Sequence, residues 1–351
     1  MKRKMKAVYL AGLRRLEMRE APAPEIKAPD EVLLKVEQVG VCGSDVHYYT
    51  TGRIGSMVVK FPFRLGHEFS ATVAGVGKKV KHLKPGDRVA VEPAISCGKC
   101  DQCRAGRRHT CRKLRFLGCP GQAEGCLCEY IVMREKNCFK VPGKMSFEQA
   151  ALVEPLSIGI YSSKLAMPLK GKTVGILGFG PIGISVFMSS LSEGAQKIYV
   201  TDKIDERLKT AKKAGASWVG NPKRTDITGE IVEKEPSRLD IVFECCGQQE
   251  ALDQAVDLLK PGGKLLIVGI PEVERISFKI DVMRRKELQL LNVRRQNNCV
   301  EQAIRFMSNQ RGNMDFMITH RFSLERTQEA FDLVAGYKDG VIKAMINAGG
   351  S

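Results

Sequence analysis

Residues 172–183 read "KTVGILGFGPIG". A short apolar run is followed directly by glycines spaced G-x-G-x-x-G, and "ISVFMSSLSEG" (184–194) then repeats apolar residues at helical spacing. Strand, glycine turn and helix in succession predict a dinucleotide-binding unit. Gly178 can make the tight turn after the strand, Gly180 lets the backbone approach a pyrophosphate, and Gly183 allows close helix packing. The pyrophosphate would face the helix starting near Pro181, whose free N–H groups and dipole favour anions. Nineteen residues after Gly183, Asp202 ends the next strand candidate, "KIYVTD". A carboxylate there accepts hydrogen bonds from adenosine ribose hydroxyls and repels a 2′-phosphate, so NAD is the expected cofactor. Lys203 and Arg207 nearby keep NADP open.

The same alternation continues outward. "LDIVFECC" (239–246), "GKLLIVGI" (263–270) and "LQLLNV" (288–293) read as further strands, with "DERLKTAKKAG" (205–215) and "EALDQAVDLLK" (250–260) as helices between them. Strands alternating with helices imply an α/β domain with a parallel sheet covered on both faces, of the doubly wound Rossmann type.

At 351 residues the chain exceeds one ordinary core, and two domains are expected. Its 43% apolar content suits a folded protein, and no segment is long and apolar enough to cross a membrane. Charges interrupt the basic start "MKRKMKAVYLAGLRRLEMRE" before a signal-peptide core can form, so a cytoplasmic location is expected. A reducing compartment keeps thiols free.

That expectation bears on "CGKCDQCRAGRRHTC" (97–111), with four cysteines at gaps of two, two and seven. A disulfide frame conflicts with the compartment, and the bacterial ferredoxin spacing ends with a gap of three before Cys-Pro. Here the final gap is seven and the later Cys119-Pro120 lies at the wrong distance. A zinc held by Cys97, Cys100, Cys103 and Cys111 needs only that the loop fold back, and four thiolates leave no position for water. His109 could replace Cys111. The lobe, about 95–113, therefore reads as structural.

Three other pieces carry metal-ligand chemistry. "GVCGSDVHYY" holds Cys42, Ser44, Asp45, His47 and Tyr48, "LGHEFSATVAGVG" holds His67 and Glu68, and "ALVEPLSIGI" holds Glu154. One thiolate, one imidazole and one or two carboxylates would leave zinc an open position, as catalysis requires. Sequence distance does not show that they converge.

In order, "GVCGSDVHYYTTGRIG", "GHEFSATVAGVGKKVKHLKPGDRV", the four-cysteine lobe, "EPLSIG", "GFGPIG" and "THRFSLERTQEAF" resemble the zinc-dependent medium-chain alcohol dehydrogenases nearly end to end. The likeness is greatest to the polyol branch acting on sorbitol, L-iditol or xylitol. The resemblance implies a GroES-like, partly β-barrel catalytic domain, 1–155 rejoined by 293–351, with a Rossmann domain, 156–292, inserted and the active site in the cleft between them. It implies one catalytic zinc on Cys42, His67 and Glu68, and one structural zinc on the lobe. Glu154 stands where classical members carry a further cysteine, and in the polyol branch acts through the metal-bound water or touches substrate. Ser44 and His47 match a proton relay, Arg294 a substrate-contacting arginine, and Tyr48 and Phe116 pocket walls. Arg295 replaces a tyrosine of the animal sorbitol enzymes and leaves a phosphorylated or acidic substrate open. Further cofactor contacts are expected at Ile182, Cys246, Val268, Gly269, Ile270, Val293 and Arg294. A homo-oligomer is expected, a tetramer rather than a dimer.

The implied reaction is NAD-dependent oxidation of a secondary polyol hydroxyl to a ketose, with threonine or a polyol phosphate as alternative substrates. Of the other cysteines, Cys245 and Cys246 end a strand beside the cofactor crevice, whereas Cys119, Cys126, Cys128, Cys138 and Cys299 read as ordinary thiols. His82 and His320 match no ligand motif. The 56 basic against 39 acidic residues give +17 and invite a zinc-bearing nucleic-acid binder. Those charges are scattered along the sequence, and that reading leaves "GFGPIG" and Asp202 unexplained. No nucleic-acid or membrane partner is expected.

Overall fold

The computed structural model describes residues 3–309 and 312–350. Contacts divide the chain into two units, one running to Glu154 and resuming at Val300, the other Pro155–Cys299.

In the second unit, six strands lie in the order Trp218–Gly220, Lys197–Thr201, Thr173–Leu177, Leu239–Glu244, Leu259–Ile267, Gln289–Asn292, each parallel to its neighbour. The inner strands "TVGIL" and "LDIVFE" are buried almost throughout, as a sheet covered on both faces requires. Chain order reverses between Thr173–Leu177 and Leu239–Glu244, and the crevice outside such strand ends is where open α/β sheets bind ligands.

The expected elements are present, with boundary shifts. The strand Lys197–Thr201 stops one residue before Asp202, which leaves that residue in the turn beyond the ladder. The helix Gln249–Leu258 ends before Leu259 because that residue starts the next strand, opposite Leu239. Trp218–Gly220 and the helix Ile227–Lys234, capped by Asp226, carried too little periodicity to be read from the sequence. Residues 293–299 cluster with this unit rather than the first. Val293 N–H donates to Ile267 O at 2.9 Å, and Lys164 Nζ to Cys299 Sγ at 3.5 Å. The motif "EPLSIG" lies within the helix Phe147–Ala166, with Pro155 inside it.

The first unit is built on a mostly antiparallel seven-stranded sheet. At its centre Glu31–Gly40 alternates, burying Val32, Leu34 and Val36 completely. It pairs with Glu68–Val76, Lys343–Asn347 and Tyr130–Arg134. Register shifts between Leu33 and Leu34 and between Val36 and Gln38 set Gly40 opposite Glu68, and Met345 also opposes Gly40. Just past Gly40 the helix Gly43–Thr51 begins and buries Tyr48 and Tyr49. Three distant stretches of sequence therefore meet at one strand end.

Candidate active site

At that strand end, ligand atoms of Cys42, His67 and Glu68 lie within 4.8 Å of one another. Cys42 precedes the helix Gly43–Thr51, and His67 immediately precedes the strand that begins at Glu68. A β-carbon at Gly40 would lie 2.4 Å from Glu68 Oε2, so any larger residue there would displace that carboxylate. Asp45, 1% exposed, places Oδ1 3.4 Å from His67 Nδ1 and accepts the Gly66 N–H at 3.2 Å. That contact turns Nδ1 away and leaves Nε2 for a metal. Burial opposes charge on His67, but Asp45 and Cys42 outweigh it and hold its pKa well above the ordinary range. One thiolate, one imidazole and one carboxylate so placed fit a zinc with an open position.

Around this triplet, Ser44 Oγ donates to Cys42 Sγ at 3.3 Å, and the Phe116 ring lies 5.1 Å from that of His67. Tyr48, 5% exposed, sets its hydroxyl 3.7 Å from Cys119 Sγ. His47 is half-buried on the same helix. Glu154 stands outside the triplet but is 7% exposed, and its Oε2 meets no hydrogen-bond partner. Burial, with Glu68 and Glu92 adding to it against His67 and Lys343, pushes its pKa up to about 8.

Sequence reading missed Lys343. It is 1% exposed, and its Nζ donates to Glu68 Oε2 at 2.6 Å and to Val41 O at 3.0 Å. Burial alone would lower its pKa, yet the Glu68 and Cys42 charges raise it. The available signal was a lone lysine in the apolar stretch "VIKAMI".

The four-cysteine lobe is closed by paired strands, Ala94 opposite Phe116 and Ile95 opposite Arg115. The sulfurs of Cys97, Cys100, Cys103 and Cys111 lie within 4.8 Å of one another, with Cys100 3.6 Å from Cys103 and 3.8 Å from Cys111. A tetrahedral zinc with bonds of about 2.3 Å needs sulfur separations of about 3.8 Å, so the set fits. Neither gap is a disulfide, and all four thiols are free. Backbone N–H groups of Cys103 and Arg112 lower the Cys100 pKa to about 6, whereas burial raises Cys103 to about 11. His109 is buried beside the set but is not part of it.

In the second unit the expected cofactor residues lie at or just beyond the carboxyl ends of strands. Gly178 adopts φ +97°, and a β-carbon there would meet the Cys246 β-carbon at 2.9 Å, so the loops after Thr173–Leu177 and Leu239–Glu244 nearly touch. Pro181 opens the helix Pro181–Ser192 with Gly180 as its cap, and Ile182 and Gly183 follow in its first turn. Asp202 accepts the N–H groups of Phe179 at 2.7 Å and Ile204 at 2.9 Å, and lies 3.7 Å from Arg207 Nη1. Arg207 is 9% exposed, and a β-carbon at Gly180 would lie 3.3 Å from its Nη1. Lys203 turns away to Glu250 at 3.1 Å. Val268 and Gly269 donate to Glu244 O, and Ile270 is exposed beyond them. Arg294 is exposed, while Arg295 holds φ +55°, a left-handed conformation uncommon for a non-glycine residue.

Glu244 is a second residue that sequence reading missed. It is fully buried at a strand end; Oε1 accepts the N–H groups of Cys246 at 2.7 Å and Gly247 at 2.6 Å, and Oε2 lies 2.9 Å from where a Gly269 β-carbon would stand. It ties together the turns after two neighbouring strands.

Residues 28–143 match the alcohol dehydrogenase GroES-like domain, and residues 181–309 match the zinc-binding dehydrogenase domain. Sorbitol dehydrogenase of Bacillus subtilis is 38% identical over 343 residues, 97% of this chain and 97% of that protein. Sorbitol dehydrogenase of Gallus gallus is 39% identical over 330 residues, 93% of this chain and 91% of that protein. Among solved structures, an Escherichia coli oxidoreductase of unknown specificity superposes with a TM-score of 0.92 at 33% identity, over 98% of this chain and 99% of that one.

Proposed function

The chain belongs to the zinc-dependent medium-chain alcohol dehydrogenases, in their polyol branch, and from that premise we propose that it oxidises a secondary hydroxyl of a linear polyol such as sorbitol, xylitol or iditol to the ketose, with NAD as oxidant. The observation that carries this reading is the Cys42–His67–Glu68 triplet, with His67 and Glu68 buried and Cys42 half-buried, and the unpartnered Glu154 carboxylate oxygen in the same polar surroundings. A ligand rich in hydroxyls suits that oxygen.

Cys42, His67 and Glu68 would hold the catalytic zinc, and Cys97, Cys100, Cys103 and Cys111 a structural one. Zinc supplies Lewis acidity, which for water moves the pKa from about 16 to about 7, and NAD supplies the hydride acceptor. The chain's own residues do the rest. Asp45 holds the His67 tautomer and Lys343 fixes one oxygen of Glu68. Glu154, its proton affinity raised by burial, exchanges a proton with water or grips a substrate hydroxyl. Tyr48 and Phe116 exclude water from one side, and Ser44, beside Cys42, starts the proton's way out through His47. Asp202 selects NAD by accepting ribose hydroxyls. The substrate roles of Arg294 and Arg295 rest on the resemblance alone, as do the remaining cofactor contacts.

A cytoplasmic homotetramer belongs to the same proposal. Among the described residues no helix is long and apolar enough to cross a membrane. Light scattering behind a sizing column measures the assembly.

NAD reduction followed at 340 nm with sorbitol, xylitol, iditol, 2-butanol, threonine and a polyol phosphate tests the function. The expected result is turnover of free polyols far above that of 2-butanol, because a site built to bond neighbouring hydroxyls discriminates strongly against analogues lacking them. Turnover of threonine or the phosphate alone sinks the polyol assignment.

A further inference from the structure

The scattering of charge along the sequence was the reason to expect no nucleic-acid partner, but one run is dense in cations and folding sets others beside it. Residues 97–115 carry seven cations against one anion, Asp101. Lys99, Arg104, Arg107 and Arg108 are exposed, and so are Arg112, Lys113 and Arg115. Each stands within four residues of a lobe cysteine, and the four sulfurs lie within 4.8 Å of one another. The cations therefore surround one small centre. Asp101 offsets Arg112 at 2.6 Å, but among the described residues Lys99, Arg104, Arg108 and Lys113 meet no carboxylate. Even with zinc bound by four thiolates, a centre of charge about −2, the lobe keeps a surplus of about four positive charges.

The cationic surface continues into a concavity. Lys136 Nζ donates to Ser96 O at 3.2 Å, joining the lobe to an open groove of about 530 Å³. His82, Lys136, Lys140 and Arg305 line it, with Phe139 half-buried among them. Glu135 and Glu301 also line it. Glu135 is engaged by the backbone N–H groups of Lys81 and His82, and Glu301 lies 3.8 Å from Arg305.

We propose that this lobe and groove bind a single-stranded nucleic acid by its phosphate backbone, with Phe139 as a stacking platform. Five of the seven lobe cations are arginines, whose planar fork matches phosphate. A positive groove that tracks a backbone beside an aromatic ring is the form of sequence-tolerant single-strand sites. A membrane surface fits less well, since the groove is concave and no large apolar side chain of the lobe is exposed among the described residues.

Fluorescence anisotropy of the zinc-loaded full chain with 5′-labelled 20-nucleotide oligo(U) and oligo(dT) tests this, and the relative affinity of the two strands separates RNA from DNA. Binding should weaken with salt at a log–log slope of about −3, as expected for roughly four phosphates neutralised on a single strand. The triple variant Arg104→Glu/Arg107→Glu/Arg108→Glu should bind at least about tenfold more weakly with a flatter slope, while polyol oxidation and the melting temperature stay unchanged. Phe139→Leu, which keeps apolar bulk, should weaken binding about fivefold or more with the slope retained. Binding that ignores the triple substitution, or phosphatidylserine vesicles retained more tightly than either oligonucleotide, overturns the proposal.

Discussion

Lys343 Nζ lies 2.6 Å from Glu68 Oε2, a fully buried ion pair whose members stand 275 residues apart in the sequence. The pair leaves one Glu68 oxygen for a metal and ties the other to a cation that also holds the Val41 carbonyl. Replacing one partner of such a pair strands the other, at a cost of about 3–5 kcal/mol. Lys343→Met should therefore lower the urea midpoint, reduce bound zinc and nearly abolish turnover. The double variant Lys343→Met/Glu68→Gln should recover much of the stability and none of the activity. If Lys343→Met melts like wild type with full zinc, the pair does not position Glu68.

Glu154 gives a pH signature with a defined sign. Its carboxyl is raised from the ordinary 4.5 to about 8, chiefly by burial. The folded chain then holds that proton more tightly than the unfolded chain. The associated stability is fully present below about pH 4.5 and is lost as pH climbs through about 8. Glu154→Gln keeps a neutral side chain at every pH. For the zinc-free protein, melting temperatures of wild type minus variant should fall steadily between pH 5 and pH 9, and parallel profiles would show that the carboxyl titrates normally.

The two cysteine sets should separate in metal content and in consequence. Cys100→Ser opens a closed four-thiolate set and leaves three sulfurs poorly compensated, so stability should drop and one zinc per subunit should be lost. Cys42→Ser should lose turnover while keeping the fold and the other zinc. Metal analysis returning one zinc in wild type, or an iron–sulfur absorption band, contradicts this assignment.

What the sequence makes legible follows the range of the interactions involved. The dinucleotide-binding unit is local: strand, glycines and helix occupy 172–194, and Gly183 packs on Gly178 within it, although Gly178 and Gly180 also face Cys246 and Arg207 from outside that stretch. The four-cysteine lobe is local too, since its ligands fall within fifteen residues. The triplet could be listed but not assembled, because its meeting depends on two register shifts between Glu31–Gly40 and Glu68–Val76. Lys343 and Glu244 went unread for a further reason. Each is one charged residue in an apolar strand, and only the fold reveals the partners that make its burial tolerable.

Cofactor choice should turn on Asp202 and Arg207 together. The Asp202 carboxylate caps the N–H groups of Phe179 and Ile204 and faces Arg207 at 3.7 Å. In Asp202→Ser the hydroxyl can still accept one of those N–H groups, so the turn should persist. The negative charge that repels a 2′-phosphate is gone, and Arg207, beside Gly180, no longer faces the Asp202 carboxylate. Lys203 contributes less, because Glu250 holds it. Removing one like charge at such range is worth on the order of 1–3 kcal/mol, so the ratio of kcat/KM for NAD over NADP should fall roughly tenfold to hundredfold. Asp202→Ser/Arg207→Ala should lose NADP activity again without regaining the wild-type kcat/KM for NAD, so the ratio should recover only in part. If wild type already favours NADP, Asp202 only caps the turn, and cofactor choice must be sought in another residue.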